Sequence, residues 1–339
     1  MDSLQTALLS EVKMSRTACL IFNPAAGQGD SKQDLQTIRH LLDPHLDLSV
    51  YATSQDVSTG DLTQSALDQG FNLVIASGGD GTVSAVAAAL VHTTIPLGII
   101  GRGTANAFAN ALGIPTELKE ACRVIAEGAT QTVDAAQCNG HTMVLLAGIG
   151  LGAEVIQQAD RDAKNRFGIF AYILAGVEQL QNLELFSAEI DIDCDRKIEV
   201  SAGAITVANA APATSILAQG PAGVIPNDRR LDLTIIAPES KLEAMIASYG
   251  LLSSALRGEA ATQQGIGYLQ AEQVRIVTDP IQRVMIDGEL IGTTPLEVRC
   301  LPKALVVLTP CPMPAHAGQS QESLENLPDL QVTSVLNIN

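Results

Sequence analysis

Three glycine-rich turns limit what this chain can fold into more than any other feature: NPAAGQGD at 23–30, SGGDGT at 77–82 and GRGT at 101–104. Each follows a short apolar run, TACLIF at 17–22, NLVIA at 72–76 and PLGII at 96–100. Runs of that length bounded by turn residues read as buried strands, and 48–53 reads as a further one. Helix-like segments lie between them at Ser31–Leu42, Ser58–Gln69, Thr82–Leu90, Asn106–Leu112 and Glu117–Glu127. Strands and helices alternating in this way predict a doubly wound parallel sheet, an α/β domain that binds ligands outside the carboxyl ends of its strands. The glycine turns fall at those ends. Glycine lets backbone approach phosphate oxygens, and the N–H groups that open the next helix supply donors. One such turn alone is more often a tight turn and nothing else, but three together, with Asp80 inside the second, favour phosphate binding.

From Thr132 the pattern switches to period-two runs at hairpin spacing, such as IDIDCDRKIEV, QVRIVTD and RVMIDGELIGTTPLEV. These predict a β-rich, antiparallel, sandwich-like second domain. Helical insertions are expected near Val155–Leu180 and Leu242–Arg257. The expected division is 1–131 for the α/β domain, 132–300 for the β-rich domain, 301–310 returning to the first, and a loosely held tail over 311–339. Counting Pro310, three prolines fall within five residues at its start, and it has neither Lys nor Arg.

With 37 acidic against 20 basic side chains, the net charge of −17 repels a polyphosphate backbone over most of the surface, and 3% aromatic residues leave little for base stacking. Nucleic acid is not an expected partner. The N-terminus lacks the apolar run of a secretory signal, so a cytoplasmic address is the expectation. The six cysteines are scattered without a CxxC pair, which favours buried free thiols over a disulfide or zinc framework. No GxxxxGK[ST], GxSxG or HExxH motif is present, GIGLGA at 148–153 has the wrong spacing for a dinucleotide fingerprint, and the five histidines are dispersed.

The motifs NPAAG at 23–27, GGDGT at 78–82, PLGIIGRGTANAFANALGIP at 96–115 and IDGE at 286–289 together resemble the diacylglycerol kinase catalytic family. The likeness is strongest to the bacterial lipid kinases related to YegS, and the chain is also similar to sphingosine kinases. GGDGT alone is shared with NAD kinases; joined to GTxNxFA and DGE it is far more specific. The resemblance implies an NAD kinase/diacylglycerol kinase-like fold with a cleft between two domains, and an ATP- and Mg²⁺-dependent transfer of the γ-phosphoryl group to a lipid hydroxyl. It places Asn23, Gly27, Thr53, Gly78, Gly79, Asp80, Gly81, Thr82, Val83, Ser84, Gly103, Thr104 and Asn106 around the nucleotide. It gives Asp287 the role of base, with Asp80 as its competitor and Glu289 as a third carboxylate for the hydroxyl or the metal. Asp287-Gly288 taken without the other motifs is a favoured hairpin pair.

The resemblance also assigns a structural Mg²⁺ to the loop IPNDRRLD, through Asp228 and the carbonyls of Ile225 and Arg230, although Arg229 and Arg230 add positive charge there and an exposed charged turn fits equally well. Three positions depart from the family pattern: Ala85 stands where Glu is usual, Ala107 where Asp is usual, and Gly101 where Pro is usual. The leading expectation is a lipid kinase acting on a diacylglycerol-like or long-chain alcohol that it meets transiently at a membrane surface, with a homodimer possible. The alternatives are a soluble-substrate kinase like NAD kinase on the same chassis, and a weakly catalytic nucleotide- or lipid-binding regulator.

Overall fold

The structure is a computed structural model that describes residues 16–27, 29–54, 56–150, 185–212, 215, 218, 223–257, 259–310 and 322–334. Its first half runs β1 (Arg16–Phe22), α1 (Ser31–Leu42), β2 (Leu46–Ala52), α2 (Thr59–Asp68), β3 (Leu73–Gly78), α3 (Asp80–Leu90), β4 (Leu97–Gly101), α4 (Ala107–Ala111) and α5 (Leu118–Glu127). The four strands are parallel in the order β4-β3-β1-β2. Alternate residues along each strand feed opposite faces: Ile21, Val74, Ala76 and Ile99 pack with Val83, Val86 and Phe108 of α3 and α4, while Leu20, Phe22, Ile75 and Ile100 pack with Ile38 of α1 and Ile125 of α5. Both faces are covered, so the sheet is doubly wound.

Helix starts follow local chemistry. Asp30 caps α1 by accepting from the Lys32 N–H, and Ser58 caps α2 by accepting from the Asp61 N–H. α3 begins at Asp80, two residues earlier than the alanine pattern predicts, because Gly79 serves as its N-cap. Having no side chain, Gly79 leaves the opening N–H groups of α3 without a side-chain cap.

The second half contains β5 (Ala129–Cys138), β6 (His141–Met143), β7 (Leu146–Gly150), β8 (Phe186–Ile192), β9 (Arg196–Ala202), β10 (Ala204–Ala208), β11 (Leu231–Ile236), α6 (Lys241–Arg257), β12 (Ile266–Ala271), β13 (Gln273–Asp279), β14 (Arg283–Ile286), β15 (Glu289–Thr293), β16 (Leu296–Thr309) and β17 (Gln331–Ser334). Six antiparallel strands form one layer in the order β12-β11-β10-β7-β14-β15. The opposing layer continues the parallel sheet, in the order β17-β9-β8-β13-β16-β4-β3-β1-β2, with β5 on β16 and β6 on β5. Phe186, Ile190 and Ile198 of that layer meet Ile149, Leu233 and Leu269 of the other in one apolar core. The two halves therefore share a sheet.

Strand β16 makes the junction. Its Val298 pairs antiparallel with Val274 of β13, whereas its Val307 pairs parallel with Leu97 of β4. Pro302 has no N–H to give and falls in the register shift between Leu301 and Leu305. There the Lys303 N–H turns to Asp134 Oδ1 at 2.6 Å, and Asp134 Oδ2 takes the Arg229 N–H at 2.6 Å. The fully buried Asp134 thus pins the bulge to the loop before β11.

The expectation of a loose tail is corrected over 322–334. Leu324 and Leu327 are buried in the sandwich core, Ser323 pairs with Tyr268, Glu322 meets Arg196, and β17 pairs with β9. Residues 311–321, 335–339 and the expected helical insertion at 155–180 lie outside the described residues. Cys19, Cys122, Cys138 and Cys300 are buried free thiols, with burial pushing each pKa up to about 12. Among the described residues no helix is long and apolar enough to cross a membrane.

Candidate active site

The three turns meet at the carboxyl ends of β1, β3 and β4 around a cavity of about 370 Å³. Asn23, directly after β1, donates from Nδ2 to Thr82 Oγ1 at 3.0 Å and accepts the Ala25 N–H at 2.9 Å, which fixes the first turn to the start of α3. The second and third turns touch backbone to backbone: a Cβ on Gly103 would lie 2.8 Å from Gly79 Cα, so no larger residue fits at 103 without a shift. Asn106, in a left-handed conformation, accepts the Gly103 N–H at 2.8 Å and donates to the Gly103 carbonyl at 3.0 Å. It holds the third turn shut, and the missing side chain of Gly101 makes room for it.

Of the residues expected around a nucleotide, Asn23, Gly27, Gly79, Gly81, Thr82, Gly103 and Thr104 line the cavity. The others are close but serve as frame. Gly78 packs under Thr82, Val83 is in the core, Asn106 is spent on Gly103, and the Thr53 N–H bonds the Phe22 carbonyl at 2.8 Å.

Three carboxylates converge from both halves. Asp80 Oδ1 accepts the Ala107 N–H at 2.5 Å, which makes it the cap of α4. Burial raises its pKa, and hydrogen bonds from the α4 backbone oppose that rise. Asp287 and Gly288 are both left-handed and form the two-residue turn between β14 and β15, as the hairpin reading of Asp-Gly expects. The same Asp287 turns its carboxylate inward, accepting the N–H groups of Val144 at 2.9 Å, Leu145 at 2.9 Å and Leu146 at 3.1 Å. Burial lifts its pKa to about 6 against those donors. The buried Ser84 hydroxyl of α3 stands close enough to favour the charged form, yet has no hydrogen bond of standard geometry. Glu289 is exposed, and its Oε1 would lie 3.9 Å from a Cβ placed on Gly81. The hairpin of the second half therefore leans onto the central glycine turn of the first.

A larger open groove, about 860 Å³, lies over β5, β8, β9, β13 and β16. Its charges are largely paired within it, Arg275 with Glu297 and Lys197 with Asp191, and it includes none of the glycine turns.

Asp228 lies apart from the cavity. Its Oδ1 accepts the Arg230 N–H at 2.9 Å and its Oδ2 the Gln270 amide at 3.1 Å. The same amide reaches Asp232 Oδ1 at 2.9 Å, and Asp232 Oδ2 is buried with no hydrogen-bond partner. Burial and the neighbouring Asp228 push the Asp232 pKa up to about 7. Among the described residues no group of three or more His, Cys, Asp and Glu side chains forms a metal cage. A neighbouring carboxylate pair with one unsatisfied oxygen nevertheless fits a hard cation that keeps most of its water.

Two residues that matter here were not singled out from the sequence. They are Arg102, the one charged side chain among the described residues lining the cavity, and Asp134, which pins the bulge of β16. The one signal in the sequence for the first is its place inside GRGT.

A doubly wound glycine-turn site closed by a carboxylate hairpin from a β-sandwich is the plan of a two-lobed phosphotransferase. Residues 17–138 match the diacylglycerol kinase catalytic domain, and residues 146–309 match the YegS C-terminal NAD kinase beta sandwich-like domain. A diacylglycerol kinase of Bacillus subtilis (strain 168) is 31% identical over 305 residues, 87% of this chain and 97% of that protein. An uncharacterized protein of Synechocystis sp. is 44% identical over 315 residues, 90% of this chain and 72% of the relative. A crystal structure from Bacillus anthracis str. Sterne, described provisionally as a diacylglycerol kinase, superposes with a TM-score of 0.71 at 27% identity, covering 87% of this chain and 97% of that one. The chain belongs to the diacylglycerol kinase catalytic family of lipid kinases.

Proposed function

We propose that this protein phosphorylates the hydroxyl of a diacylglycerol-like lipid, with ATP as donor and Mg²⁺ as the required cation. The observation that carries this reading is the approach of the Asp287–Glu289 hairpin to Gly81 beside the glycine-lined cavity. Phosphates in the cavity would meet the uncapped N–H groups at the start of α3, which carry the favourable end of the helix dipole. In the reaction the lipid hydroxyl oxygen bonds to the γ-phosphorus, the bond from that phosphorus to the β,γ-bridging oxygen breaks, ADP departs, and the hydroxyl proton passes to a carboxylate.

The geometry ranks the three carboxylates for that last role. Asp80 is engaged as a helix cap and Asp287 as the acceptor of three amides, whereas Glu289 is solvent-accessible and faces the turn. Glu289 takes the proton, and Asp287 holds the hairpin in place from its amide nest. Mg²⁺, when bound, supplies charge neutralisation for the phosphates, and a structural ion at Asp228, with the Ile225 and Arg230 carbonyls and water, would settle the charge of Asp232.

Membrane contact belongs to the same hairpin. Leu290 on β15, next to Glu289, is 49% exposed, and Ile281, at the opposite end of the hairpin just before β14, is 70% exposed; both are suited to dip into a lipid surface. The test is a vesicle-based kinase assay with ATP and diacylglycerol on Glu289→Gln, Asp287→Asn and Asp80→Asn. Glu289→Gln should lower kcat about 100-fold or more with the fold and ATP affinity kept. Asp287→Asn should lower both activity and Tm, since Asn has one acceptor oxygen where the amides now meet two. Full activity in Glu289→Gln removes it as the base, and a wild-type protein inert toward every lipid alcohol offered overturns the substrate class.

A further inference from the structure

We propose that Arg102 sets the preference of the cavity for phosphorylated nucleotides, and that Asp34 holds it in check; the proposal rests on the reading of the cavity as an ATP site. The surrounding molecule argues for such a cation. At a net charge of −17 the protein repels a polyphosphate, and Arg102 is the single charged side chain among the described residues that line the cavity.

The guanidinium is fixed and dry. Its side chain is 4% exposed, its Cζ sits 4.5 Å from the centroid of the Phe22 ring, and Nη1 donates to the Asn23 carbonyl at 2.9 Å. The Arg102 N–H bonds the Gly78 carbonyl at 2.7 Å, so one residue ties the third turn to the first and the second. Nε donates to Asp34 Oδ2 at 3.0 Å. Nη2 stands 2.8 Å from the same oxygen without hydrogen-bond alignment and has no other partner, while a Cβ on Gly27 would come within 3.4 Å of it. The ion pair with Asp34 is thus the only engagement of Nη2, and a second anion at the edge of the cavity can contend for it.

The pair is unequal in its surroundings. Asp34, 30% exposed, is partly screened by water, whereas Arg102 is not. Beside Gly27 the cation is also the nearer charge, Nη2 lying 3.4 Å and Asp34 Oδ2 3.8 Å from the place of a Cβ, so the positive charge is the nearer and the less screened of the two. A phosphate oxygen entering beside Gly27 would compete with Asp34 for Nη2. Adenosine, lacking phosphate, would gain nothing from it.

The experiment titrates ATP and adenosine by ligand-observed NMR into wild type, Arg102→Met and Asp34→Asn. Arg102→Met should raise the Kd for ATP at least about tenfold and leave that for adenosine unchanged, while Asp34→Asn should lower the Kd for ATP. A brace without electrostatic function predicts something else: both variants weaken ATP and adenosine by a common factor, and that result overturns the proposal. So does an unchanged ATP affinity in both. Should Arg102→Met fail to fold, Asp34→Asn still decides, because only a charge role makes ATP bind more tightly when the acid is removed. A wild-type protein that binds neither ligand refutes the ATP-site reading itself, which separates that failure from this one.

Discussion

Asp232 carries a buried carboxylate with one oxygen unpartnered, and its consequence for stability has a definite sign. Its folded pKa of about 7 lies above the ordinary carboxylate value, so folding favours the protonated form. The stability this gives is fully present at low pH and is lost as pH rises through 7. In metal-free buffer, thermal melting of the wild type should therefore fall between pH 5 and pH 8, and Asp232→Asn should flatten that fall while keeping the Gln270 hydrogen bond. At pH 8 the variant should be the more stable by about 1–4 kcal/mol; equal pH profiles would show that Asp232 is neutralised by another route. Adding Mg²⁺ should stabilise the wild type more than Asp228→Asn if the loop takes a cation. The glycines give a second residue-scale contrast. Gly103→Ala forces a Cβ against the Gly79 backbone, whereas Gly81→Ala meets only the end of Glu289 at 3.9 Å. ATP affinity and Tm should drop in the first and hold in the second; equal behaviour would deny that the two turns must touch. Single residues are also where the sequence is least informative. The glycine motifs expose Asn23, Thr82 and Thr104 because their spacing is bound to turn geometry, but nothing in GRGT shows that its arginine is buried on Phe22, since burial by stacking leaves no period.

The elements were far more legible. β1 to β4 and α1 to α5 follow from apolar runs of the right length, N-caps such as Asp30 and Ser58, and turn residues between them. The docked part of the tail did not stand out, because its apolar anchors Leu324 and Leu327 are two leucines in a polar setting and β17 reads only QVTS. What fixes it lies far away in the chain. Gly267 of β12 has no side chain, and Leu327 fills the place, with its Cδ1 2.5 Å from where a Cβ would be. Removing residues 322–339 should thus lower Tm by about 5–10 °C, from two buried leucines and the β17 pairing. Gly267→Val should be equally damaging in the full chain and nearly harmless in the truncated one, because the leucine it displaces is already gone. Independent, additive losses in the double variant would mean that Leu327 does not occupy that site. Limited proteolysis should spare 322–334 in the native protein for the same reason.

For the molecule as a whole, the period-two runs after Thr132 announce a sandwich, but not that it grows out of the parallel sheet. Within LPK at 301–303, Pro302 falls in the register shift, Lys303 gives its N–H to buried Asp134, and β16 runs on from β13 to β4. This has an energetic consequence that separate lobes would not share. Leu305 packs in the core beneath α3 and β4, whereas Val298, seven residues earlier on the same strand, packs in the sandwich core. Both are hydrogen-bonded along β5, so unfolding either lobe would strip pairing from the other. The protein should unfold in one cooperative transition, and Leu305→Ala, at a cost of about 2–5 kcal/mol, should move that whole transition. Hydrogen exchange tests it locally: Leu305→Ala should speed exchange of amides in β13 and β8 as well as in β3 and β4. If β13 and β8 keep wild-type protection while β3 loses it, the shared strand does not couple the lobes, and the hairpin that brings Glu289 to Gly81 must be positioned by contacts other than the continuous sheet.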